Sequence, residues 1–523
     1  MENDAQAVLF ADLRLWRPAQ PEAPQEPQPV GDRRPRLQPI QRNQLIFRAV
    51  DVEQLIGPEH PARAIWELIG QRDLTGFYDQ IEAVTGVAGR PAYDPRLLIS
   101  LWIYAYMDGT PSARQIARQL DYHPAYQWLT AATTLSAHTL SDFRTQHEEA
   151  LKDLITQILG LLAEENLVDL KQVTQDGTKV RASAGADTFR RQATLERHLE
   201  EARQRIEELD SGDSEEISQR SQQARQRGAR ERLSRLEKAQ QELEKIQQTR
   251  KAQEKSEARV SLTDPEARIM KQNDGGYAPS YNVQVTTDAK VTVIVSMAVT
   301  QDGGDIEQLQ PAMQRLAQEA GQAPQQAIVD AGYTSRENVV AMAKASIDLI
   351  GPPLDGKVQK ETLYQIRGVA PEYRPEAFAF DAGANAYLCP EGKSLRYKTR
   401  QVLLGQTKYT YVAEAGDCAA CRQKACCCPT TTKGGRSLVR AEDGPELLAF
   451  RAKMETEEAQ RTYRKRGAVA EFPNLCIKER YGLRQFSVRG LQKVRVEALW
   501  VCLTYNIQQW IRLCWRKQLV TAS

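Results

Sequence analysis

The sequence predicts an α/β protein in which a helical N-terminal part precedes a core that contains a sheet. Two patterns predict this class. Residues 60–169 carry apolar side chains at helical spacing between tight turns, whereas residues 170–180, 281–286 and 291–299 are short β-rich runs. The composition, 41% hydrophobic and 26% charged over 523 residues, suits a globular chain of two to four domains.

The N-terminal part divides into two segments. Residues 1–45 contain seven prolines among Gln and Glu, a composition that buries too little apolar surface to fold, and we expect a disordered arm. Residues 46–168 are expected to form a helical domain, in which Ser112 and Gln115 match a capping box at a helix start. Short helices joined by tight turns suit a helix-turn-helix-like DNA reader. A plain helical bundle would show the same spacing.

A second helical pattern interrupts the β-rich part of the chain. Within residues 186–260, apolar side chains recur at steps of three and four in two stretches, which a Ser/Gly-containing turn separates. These side chains are Leu195, Leu199, Ala202, Ile206 and Leu209, then Leu233, Leu236, Leu243 and Ile246. The pattern predicts an inserted helical hairpin with coiled-coil character, whose role is structural or self-associating.

The β-rich runs follow an order that indicates the architecture of the core. A strand over residues 170–180 is followed by a hairpin over residues 281–299, a helix over residues 306–319 and a short apolar strand over residues 327–329. Acidic residues stand at the ends of the first and the last strand. This order resembles the ribonuclease-H-like core.

Two of these acidic residues stand where such a core could hold metal ions. Asp176 lies in Val173-Thr174-Gln175-Asp176-Gly177, and Asp330 follows Ile328-Val329. Cutting a phosphodiester needs an activated water and a stabilised leaving oxygen, which two Mg²⁺ ions about 4 Å apart provide when carboxylates hold them. Asp302 occurs in a second Thr-Gln-Asp-Gly string. With Asp305 it fits a helix-starting loop, and we exclude it from the site.

A third acidic residue lies in a basic C-terminal stretch. Residues 461–517 contain 13 Lys or Arg and 3 Asp or Glu, although the net charge of the chain is only +2. Glu471 and Lys478 are seven positions apart, nearly two helical turns, so that one face of a helix would carry both. A metal ligand beside a phosphate-binding lysine is what DNA at a metal site requires. For an isolated helix, a surface Glu/Lys pair is the alternative.

The C-terminal motif resembles that of a known family. Tyr463, Arg466, Glu471 and Lys478, followed by Gly482-Leu483-Arg484-Gln485-Phe486 and Arg489-Gly490, resemble the signature of bacterial insertion-sequence DDE transposases. The strings around Asp176 and Asp330 are similar to those around that family's first and second acids. The resemblance runs from about His60 to the C-terminus, and the joint presence of these strings is specific.

The resemblance implies a function and a set of site residues. The enzyme would bind the terminal inverted repeats of its element, cleave DNA ends and transfer them to target DNA, as a homodimer at the nucleoid in the bacterial cytoplasm. Asp176, Asp330 and Glu471 would be catalytic and would hold Mg²⁺ or Mn²⁺. The residues that would contact DNA are Tyr463, Arg466, Lys478, Arg484 and Arg489. Residues 169–350 and 456–523 would form the two parts of the core.

Two features depart from the pattern of that family. Arg466 precedes Glu471 by five positions, where four is the commonest interval, and Gly467 takes the usual place. A proline often follows the Glu directly, whereas here it is Pro473. Because proline in a helix interior removes a hydrogen bond and kinks the helix, we expect Glu471 near a helix start.

Residues 351–455 are predicted to be an insertion that contains six of the nine cysteines. Cys389 before Pro390-Glu391-Gly392, the pair Cys418 and Cys421, and one further thiol give four ligands suited to tetrahedral Zn²⁺. Similar transposases carry such an insertion, and their spacing implies Cys427 as the last ligand, with Cys426 and Cys428 as alternatives. We expect a zinc-ribbon-like unit with a structural Zn²⁺; redox chemistry is the alternative.

Two rival functions fit the same residues. One is a metal-dependent nuclease that hydrolyses DNA without joining it, and the other is a catalytically inactive DNA-binding protein derived from a transposase. The presence of all three acids counts against the second. The N-terminus lacks a basic signal-peptide region, and the longest apolar run, residues 97–107, is too short for a bilayer, so no membrane partner is expected.

Overall fold

The computed structural model describes residues 49–83, 91–211, 219–272, 274–353, 363–403, 406–429 and 434–517. The expected disordered arm, residues 1–45, and part of the predicted turn at residues 89–95 lie outside these residues. Residues 51–523 form one compact unit. No helix in the described ranges is long and apolar enough to cross a membrane.

Short helices form the N-terminal part, as predicted. They span Pro61–Gly70, Thr75–Tyr78, Pro95–Met107, Ala113–Gln119, Pro124–Thr130, Ala137–Gln146 and Glu148–Glu164. Two of them begin in the same way: the imidazoles of His60 and His123 accept N–H groups of the first turn, and a proline follows each histidine. The predicted capping box at Ser112 was wrong, because the Ser112 side chain makes no capping hydrogen bond.

The central part of the chain forms a mixed sheet. Its six strands are β1 (Gln172–Arg181), β4 (Arg268–Lys271), β5 (Tyr277–Asp288), β6 (Val293–Thr300), β7 (Gln326–Ile328) and β8 (Asp348–Ile350). Between β1 and β4 in the chain, β2 (Phe189–Arg190) and β3 (Val260–Ser261) form a separate two-stranded sheet. β5 is antiparallel to β1, β4 and β6, whereas β1, β7 and β8 run parallel. The predicted order of strand, hairpin, helix and strand is confirmed, with the helix at Leu309–Ala320.

The predicted helical hairpin lies between β2 and β3, which pair with each other at its base. Its two helices are Gln192–Asp210 and Gln219–Thr249. They are packed by a small apolar cluster of their own, which is separate from the main core and consists of Leu195, Leu199, Ala202, Leu236, Ala239, Leu243, Ala258 and Val260. The hairpin therefore has an apolar core of its own, and buried Glu242 joins it to the main sheet through Arg268 on β4.

The cysteine-rich segment forms a second, antiparallel sheet. Its strands are β9 (Ala379–Asp381), β10 (Ala386–Leu388), β11 (Ser394–Leu403), β12 (Gln406–Ala413) and β13 (Ser437–Asp443), in the order β13-β12-β11-β10-β9. Two short helices, Ala415–Ala419 and Lys424–Cys427, carry most of the cysteines between β12 and β13.

The C-terminal part is helical and contains three π-helical turns. After helices Pro445–Glu455 and Glu457–Arg464, a π turn at Gly467–Glu471, an α turn at Phe472–Leu475 and a second π turn at Cys476–Arg480 follow one another. The long helix Leu491–Trp510 ends in a third π turn, Ile511–Trp515.

One apolar core joins the N-terminal helices, the main sheet and the helix Leu491–Trp510. Trp102 and Trp500 are fully buried in it. Between the two helical parts lies a buried ion pair, in which Arg144 Nη1 is 3.3 Å from Glu497 Oε1. Arg144 also donates to the carbonyl of Pro111, and its own carbonyl accepts from the indole of Trp500. The N-terminal helices therefore share their core with the C-terminal helix.

Candidate active site

Strand register brings Asp176 and Asp330 together. In the parallel pair of β1 and β7, Thr174 lies opposite Ile328, and two residues further along the two chains come Asp176 and Asp330. Residues two apart on a strand share a face, and neighbouring strands are about 4.8 Å apart, so these two carboxylates are neighbours. The expectation that Asp176 ends its strand was wrong: it is the fifth of ten residues of β1.

A single guanidinium contacts all three predicted acids. Arg466 Nη2 is 3.1 Å from Asp176 Oδ1 and 3.8 Å from Asp330 Oδ2, and Arg466 Nη1 is 4.0 Å from Glu471 Oε1. The Arg466 side chain is 13% exposed and the Glu471 side chain 73% exposed. The three carboxylates thus surround one cationic group at the surface end of the sheet.

Burial dominates the electrostatics of Asp176. Loss of solvent raises the pKa of its carboxyl above the ordinary value, and the negative charge of Asp330 acts in the same direction. The Arg466 guanidinium and hydrogen bonds from the Gly177 N–H and the Asn474 amide act against these two causes. The net effect is a raised pKa, so burial outweighs the stabilisation of the Asp176 carboxylate by Arg466 and the two hydrogen bonds.

The π turn at Gly467–Glu471 explains the unusual spacing of Arg466 and Glu471. A π-helix closes its hydrogen bonds over five residues rather than four, so that one extra residue fits into a turn without moving its ends to different faces. Glu471 directly precedes the α turn Phe472–Leu475, as expected, but the helical segment does not begin there, because the π turn Gly467–Glu471 precedes it. Pro473 lies inside the helical segment, where π turns on both sides leave room for a residue that lacks an N–H.

Asn474 is a site residue that the sequence analysis missed. Its Nδ2 donates to Asp176 Oδ2 at 2.9 Å, while its Oδ1 is buried without a hydrogen-bond partner. The Nε of Arg466 is also buried and unpaired. Since Asn474 follows Glu471 by three positions, helical spacing alone could have placed it on the same face.

A buried polar network supports the acids from the opposite face of the sheet. Gln284 Oε1 accepts from Gln175 Nε2 at 2.8 Å and from the Tyr333 hydroxyl at 2.7 Å. Gln284 Nε2 donates to Asp305 Oδ1 at 2.8 Å. Gln175 precedes Asp176, and Tyr333 lies three residues after Asp330. Gln284 therefore connects the backbone segments that carry the first two acids.

Gly177 provides the space that this network occupies. A Cβ atom at this position would stand 2.5 Å from Asp305 Oδ1 and would also collide with the Gln284 amide. Asp302, which was excluded from the site, stays in the loop before the helix, where its carboxylate accepts from Gln308 Nε2. Asp305 in the same loop reaches the network instead, which the sequence analysis did not predict.

The predicted DNA contacts occupy three different surroundings. Lys478 is half-buried near Asp176, and burial lowers the pKa of its amine while Glu479 and Asp176 counteract that shift. Tyr463 packs against the main core. Arg484 pairs with Glu479, and Arg489 Nε donates to the carbonyl of Ser183 at 2.9 Å. The last two arginines lie where the chain after the helix pairs with the end of β1.

The cysteines gather at one end of the second sheet. Cys389, Cys418, Cys421, Cys427 and Cys428 line the same cavity of about 30 Å³, whereas Cys426 is exposed. Backbone N–H groups point at two of the sulfurs: Lys393 N is 3.2 Å from Cys389 Sγ, and Arg436 N is 3.3 Å from Cys418 Sγ. Burial raises the pKa of the Cys427 thiol to about 12.

The carboxylates and the cysteines are residue types that bind metal ions, although the side chains are not arranged around an ion in this structure. Among the described residues, no three His, Cys, Asp or Glu side chains stand close enough to hold an ion as they are. At the acidic site, Arg466 lies between the carboxylates. Carboxylate oxygens together with the unpaired Oδ1 of Asn474 are the ligands that Mg²⁺ prefers. The residue types therefore suit a divalent cation, and in this structure the Arg466 guanidinium lies between the carboxylates.

Comparison with known families defines the class of protein. Residues 50–146 match the family model described as Transposase domain (DUF772), and residues 388–511 match the model described as Transposase DDE domain. The second match includes Arg466, Glu471 and strands β11, β12 and β13 of the cysteine-rich sheet, whereas β9 and most of β10 precede it. No curated protein matches the chain. The two matches support an insertion-sequence DDE transposase.

Proposed function

We propose that this chain is an active transposase that binds the terminal inverted repeats of its element, cleaves their ends and transfers them to target DNA. The contact of one guanidinium with Asp176, Asp330 and Glu471 carries the proposal, since it brings together three acids that are far apart in the sequence. The order of the strands supports a ribonuclease-H-like core. Such an enzyme would act as a homodimer at the bacterial nucleoid.

The chain's own residues have distinct roles in this proposal. Asp176, Asp330 and Glu471 would hold Mg²⁺ or Mn²⁺, which supplies an activated water and stabilises the leaving oxygen when bound. Asn474 orients Asp176 through its amide. Arg466 and Lys478 would bind the phosphates that flank the cleaved bond, and Arg484 and Arg489 would position the DNA further along β1. Tyr463 would help to orient the helix that carries it, Glu457–Arg464, against the core.

The acid assignment is tested by a matched pair of aspartates. Asp176→Ala and Asp302→Ala change the same residue in the same Thr-Gln-Asp-Gly string, but only the first lies beside Arg466. With Mg²⁺ and DNA bearing the element's ends, we expect Asp176→Ala to abolish cleavage, a loss of about 10³-fold or more, and Asp302→Ala to retain it. Equal cleavage by both variants would refute the assignment.

The same assay separates the rival functions. A nuclease would cleave the end-bearing DNA without producing joined strand-transfer products. An inactive DNA-binding protein would retard this DNA in gels with neither product in Mg²⁺ or Mn²⁺. We expect joined products from the wild-type protein.

We further propose a structural Zn²⁺ bound by Cys389, Cys418, Cys421 and Cys427. The shared cavity and the N–H groups directed at two sulfurs support this set, because such N–H groups stabilise metal-bound thiolates. Cys426 is exposed and does not line the cavity, which leaves Cys428 as the competing fourth ligand.

Metal analysis of single serine variants tests the zinc ligands. We expect one zinc per chain in the wild type and in Cys426→Ser, and less than half of that in Cys427→Ser, because a three-ligand site binds more weakly. If Cys428→Ser loses zinc and Cys427→Ser keeps it, the fourth ligand is Cys428. Zinc-free wild-type protein purified without chelator would refute the site.

A further inference from the structure

The second sheet carries a group of aromatic side chains on one face. Phe380 on β9 contacts Tyr387 and Tyr411, with ring centroids 5.0 and 5.9 Å apart, and Tyr397 on β11 lies 6.0 Å from Tyr411. The Arg440 guanidinium on β13 stands 4.4 Å from the Phe380 ring and 4.9 Å from the Tyr409 ring. We call Phe380, Tyr397, Tyr409 and Arg440 the aromatic face.

The sheet is curled around this face. Phe380 and Arg440 belong to the two edge strands, β9 and β13, yet their side chains are in contact, so the edges approach each other on this side. Packing around the cysteines covers the other end of the same face, where Leu395 and Ala413 are buried. At the open end, Phe380 stays 37% and Tyr397 44% exposed. The aromatic face is thus only partly covered within the described chain.

The segment that carries most of these rings is rich in basic residues. Residues 394–440 contain nine Lys or Arg and two Asp or Glu, whereas the whole chain has 70 basic and 68 acidic residues. The Nε of Arg440 is buried without a hydrogen-bond partner, and its terminal nitrogen pairs with Glu442 at 3.0 Å. A small structural core would need the rings but would not need the excess of basic residues.

Exposed aromatic rings on a basic, curled sheet fit unpaired nucleotides. Every base has a flat face that stacks on an aromatic ring, and basic side chains attract the phosphates between the bases. Paired bases are already stacked on their neighbours, and proteins read them with a helix or a ribbon in a groove. The rings of the aromatic face lie inside the curl of a five-stranded sheet. A duplex that approaches this face with the wall of a groove offers no free base that could stack on the rings.

We propose that the aromatic face binds single-stranded DNA. This surface would hold a strand that has separated from its complement. The proposal rests on the proposed function for DNA as the partner, but it requires neither metal binding nor catalysis by Asp176, Asp330 or Glu471.

Binding of the full chain to labelled oligothymidylate, without added Mg²⁺ or Mn²⁺ and without chelator, tests the proposal, with fluorescence anisotropy as the readout. Base–aromatic stacking contributes about 1–3 kcal/mol, so Tyr397→Ala and Phe380→Ala should each weaken single-strand binding about 5-fold or more. Tyr397→Phe keeps the ring and should bind as the wild type does. Affinity for a duplex that lacks the element's ends should change less than 2-fold in all three variants.

The opposite face of the same sheet provides a control. Val439 is 57% exposed and alternates with Leu438 and Arg440 along β13, so it points away from the aromatic face. Val439→Ala should leave both affinities unchanged, and thermal unfolding of each variant checks its fold. Unchanged single-strand binding by the well-folded Tyr397→Ala and Phe380→Ala variants would overturn the proposal, as would an equal loss of duplex binding.

This outcome can be distinguished from failure of the proposed function. Asp176→Ala should bind the oligonucleotide with wild-type affinity, since Asp176 lies on the other sheet. If the wild type cleaves no DNA but the aromatic variants still lose single-strand binding, the aromatic face stands and the catalytic proposal falls. If cleavage depends on Asp176 while the aromatic variants bind normally, the reverse holds.

Discussion

Arg466 supplies positive charge between three carboxylates that would otherwise repel one another. Its contacts to Asp176 and Asp330 lie close to the surface end of β1 and β7, and its Nε remains unpaired. A guanidinium is planar and presents several donors at once, so it can contact carboxylates from three separate elements. The residue that we propose as a phosphate contact is therefore also the one that organises the acids.

Asp264 illustrates how one buried carboxyl affects stability. Its Oδ1 accepts from the Tyr281 hydroxyl at 2.8 Å and from the Gly490 N–H at 3.1 Å, while its Oδ2 is buried and unpaired. Burial raises the pKa of Asp264 above its ordinary value, more than the two hydrogen bonds lower it. Ionisation in the folded chain is therefore unfavourable.

The substitution Asp264→Asn is predicted to change the pH dependence of unfolding. An amide oxygen can accept both hydrogen bonds but carries no charge. Because folding raises the pKa, the wild type is favoured below the ordinary aspartate value of 3.8 and loses that advantage as pH rises through the raised value. Relative to the wild type, the melting temperature of Asp264→Asn should therefore rise between pH 4 and pH 8. A difference that stays constant over this range would contradict the prediction.

At the scale of elements, β5 connects the two strands that carry the first acids. It pairs with β1 directly, and through Gln284 it contacts Tyr333 in the turn after β7. Gln284 is 1% exposed and Tyr333 is fully buried. Because these side chains are buried, each of these hydrogen bonds satisfies a group that would otherwise be unpaired.

Gln284→Leu should therefore be more damaging than Tyr333→Phe. The leucine leaves the Gln175 amide and the Tyr333 hydroxyl without their acceptor, at about 1–3 kcal/mol for each buried unpaired group. Tyr333→Phe removes one donor together with its hydrogen bond and should cost about 1 kcal/mol. Urea unfolding of both variants measures the difference in the free energy of unfolding. An equal loss in the two variants would show that Gln284 is no more important to the network than Tyr333.

The order of elements in the core could be predicted from sequence, because β-rich runs and helical spacing differ clearly in residues 170–329. The position of Asp330 directly after a short apolar strand could also be predicted from the sequence. Asp176 was assigned to the end of its strand because Asp-Gly usually marks a turn, whereas here Gly177 makes room for Gln284 and Asp305. The buried polar network could not be predicted, since burial of Gln and Asn runs against the hydrophobic pattern.

The helix with Glu471 shows a second limit of sequence reasoning. An interval of five residues and an internal proline both argue against a regular α-helix, and the sequence does not reveal that a π turn can absorb them. For the cysteines, the sequence predicted a metal-binding group but left its fourth ligand open among Cys426, Cys427 and Cys428. Only the arrangement of the chain separates exposed Cys426 from Cys427 and Cys428.

At the scale of the molecule, the N-terminal helices and the C-terminal helix depend on each other. Their shared core contains the buried pair of Arg144 and Glu497, whose side chains are 5% and 2% exposed. Glu497 also accepts from the N–H and the hydroxyl of Ser487. Arg144 also donates to the Pro111 carbonyl, and its guanidinium lies 4.7 Å from the centroid of the Trp102 ring.

Removing one partner of this pair should destabilise the whole unit. Arg144→Met leaves Glu497 as a buried charge without its cation, and such losses cost about 3–5 kcal/mol. The double variant Arg144→Met, Glu497→Leu removes both charges and should recover part of that loss, as measured by urea unfolding. A double variant as unstable as the sum of the two single ones would show that the two charges act independently.

The pairing of Arg144 with Glu497 also has a consequence for synthesis, because 353 residues separate the two partners. At a translation rate of about 5–20 residues per second, a ribosome needs roughly 20 to 70 s to make the intervening chain. During that interval the first helices leave the ribosome with Trp102 and the Arg144 charge unmatched. A chain released before residue 497 would therefore lack both the carboxylate that pairs with Arg144 and the Trp500 side chain that packs in the same core.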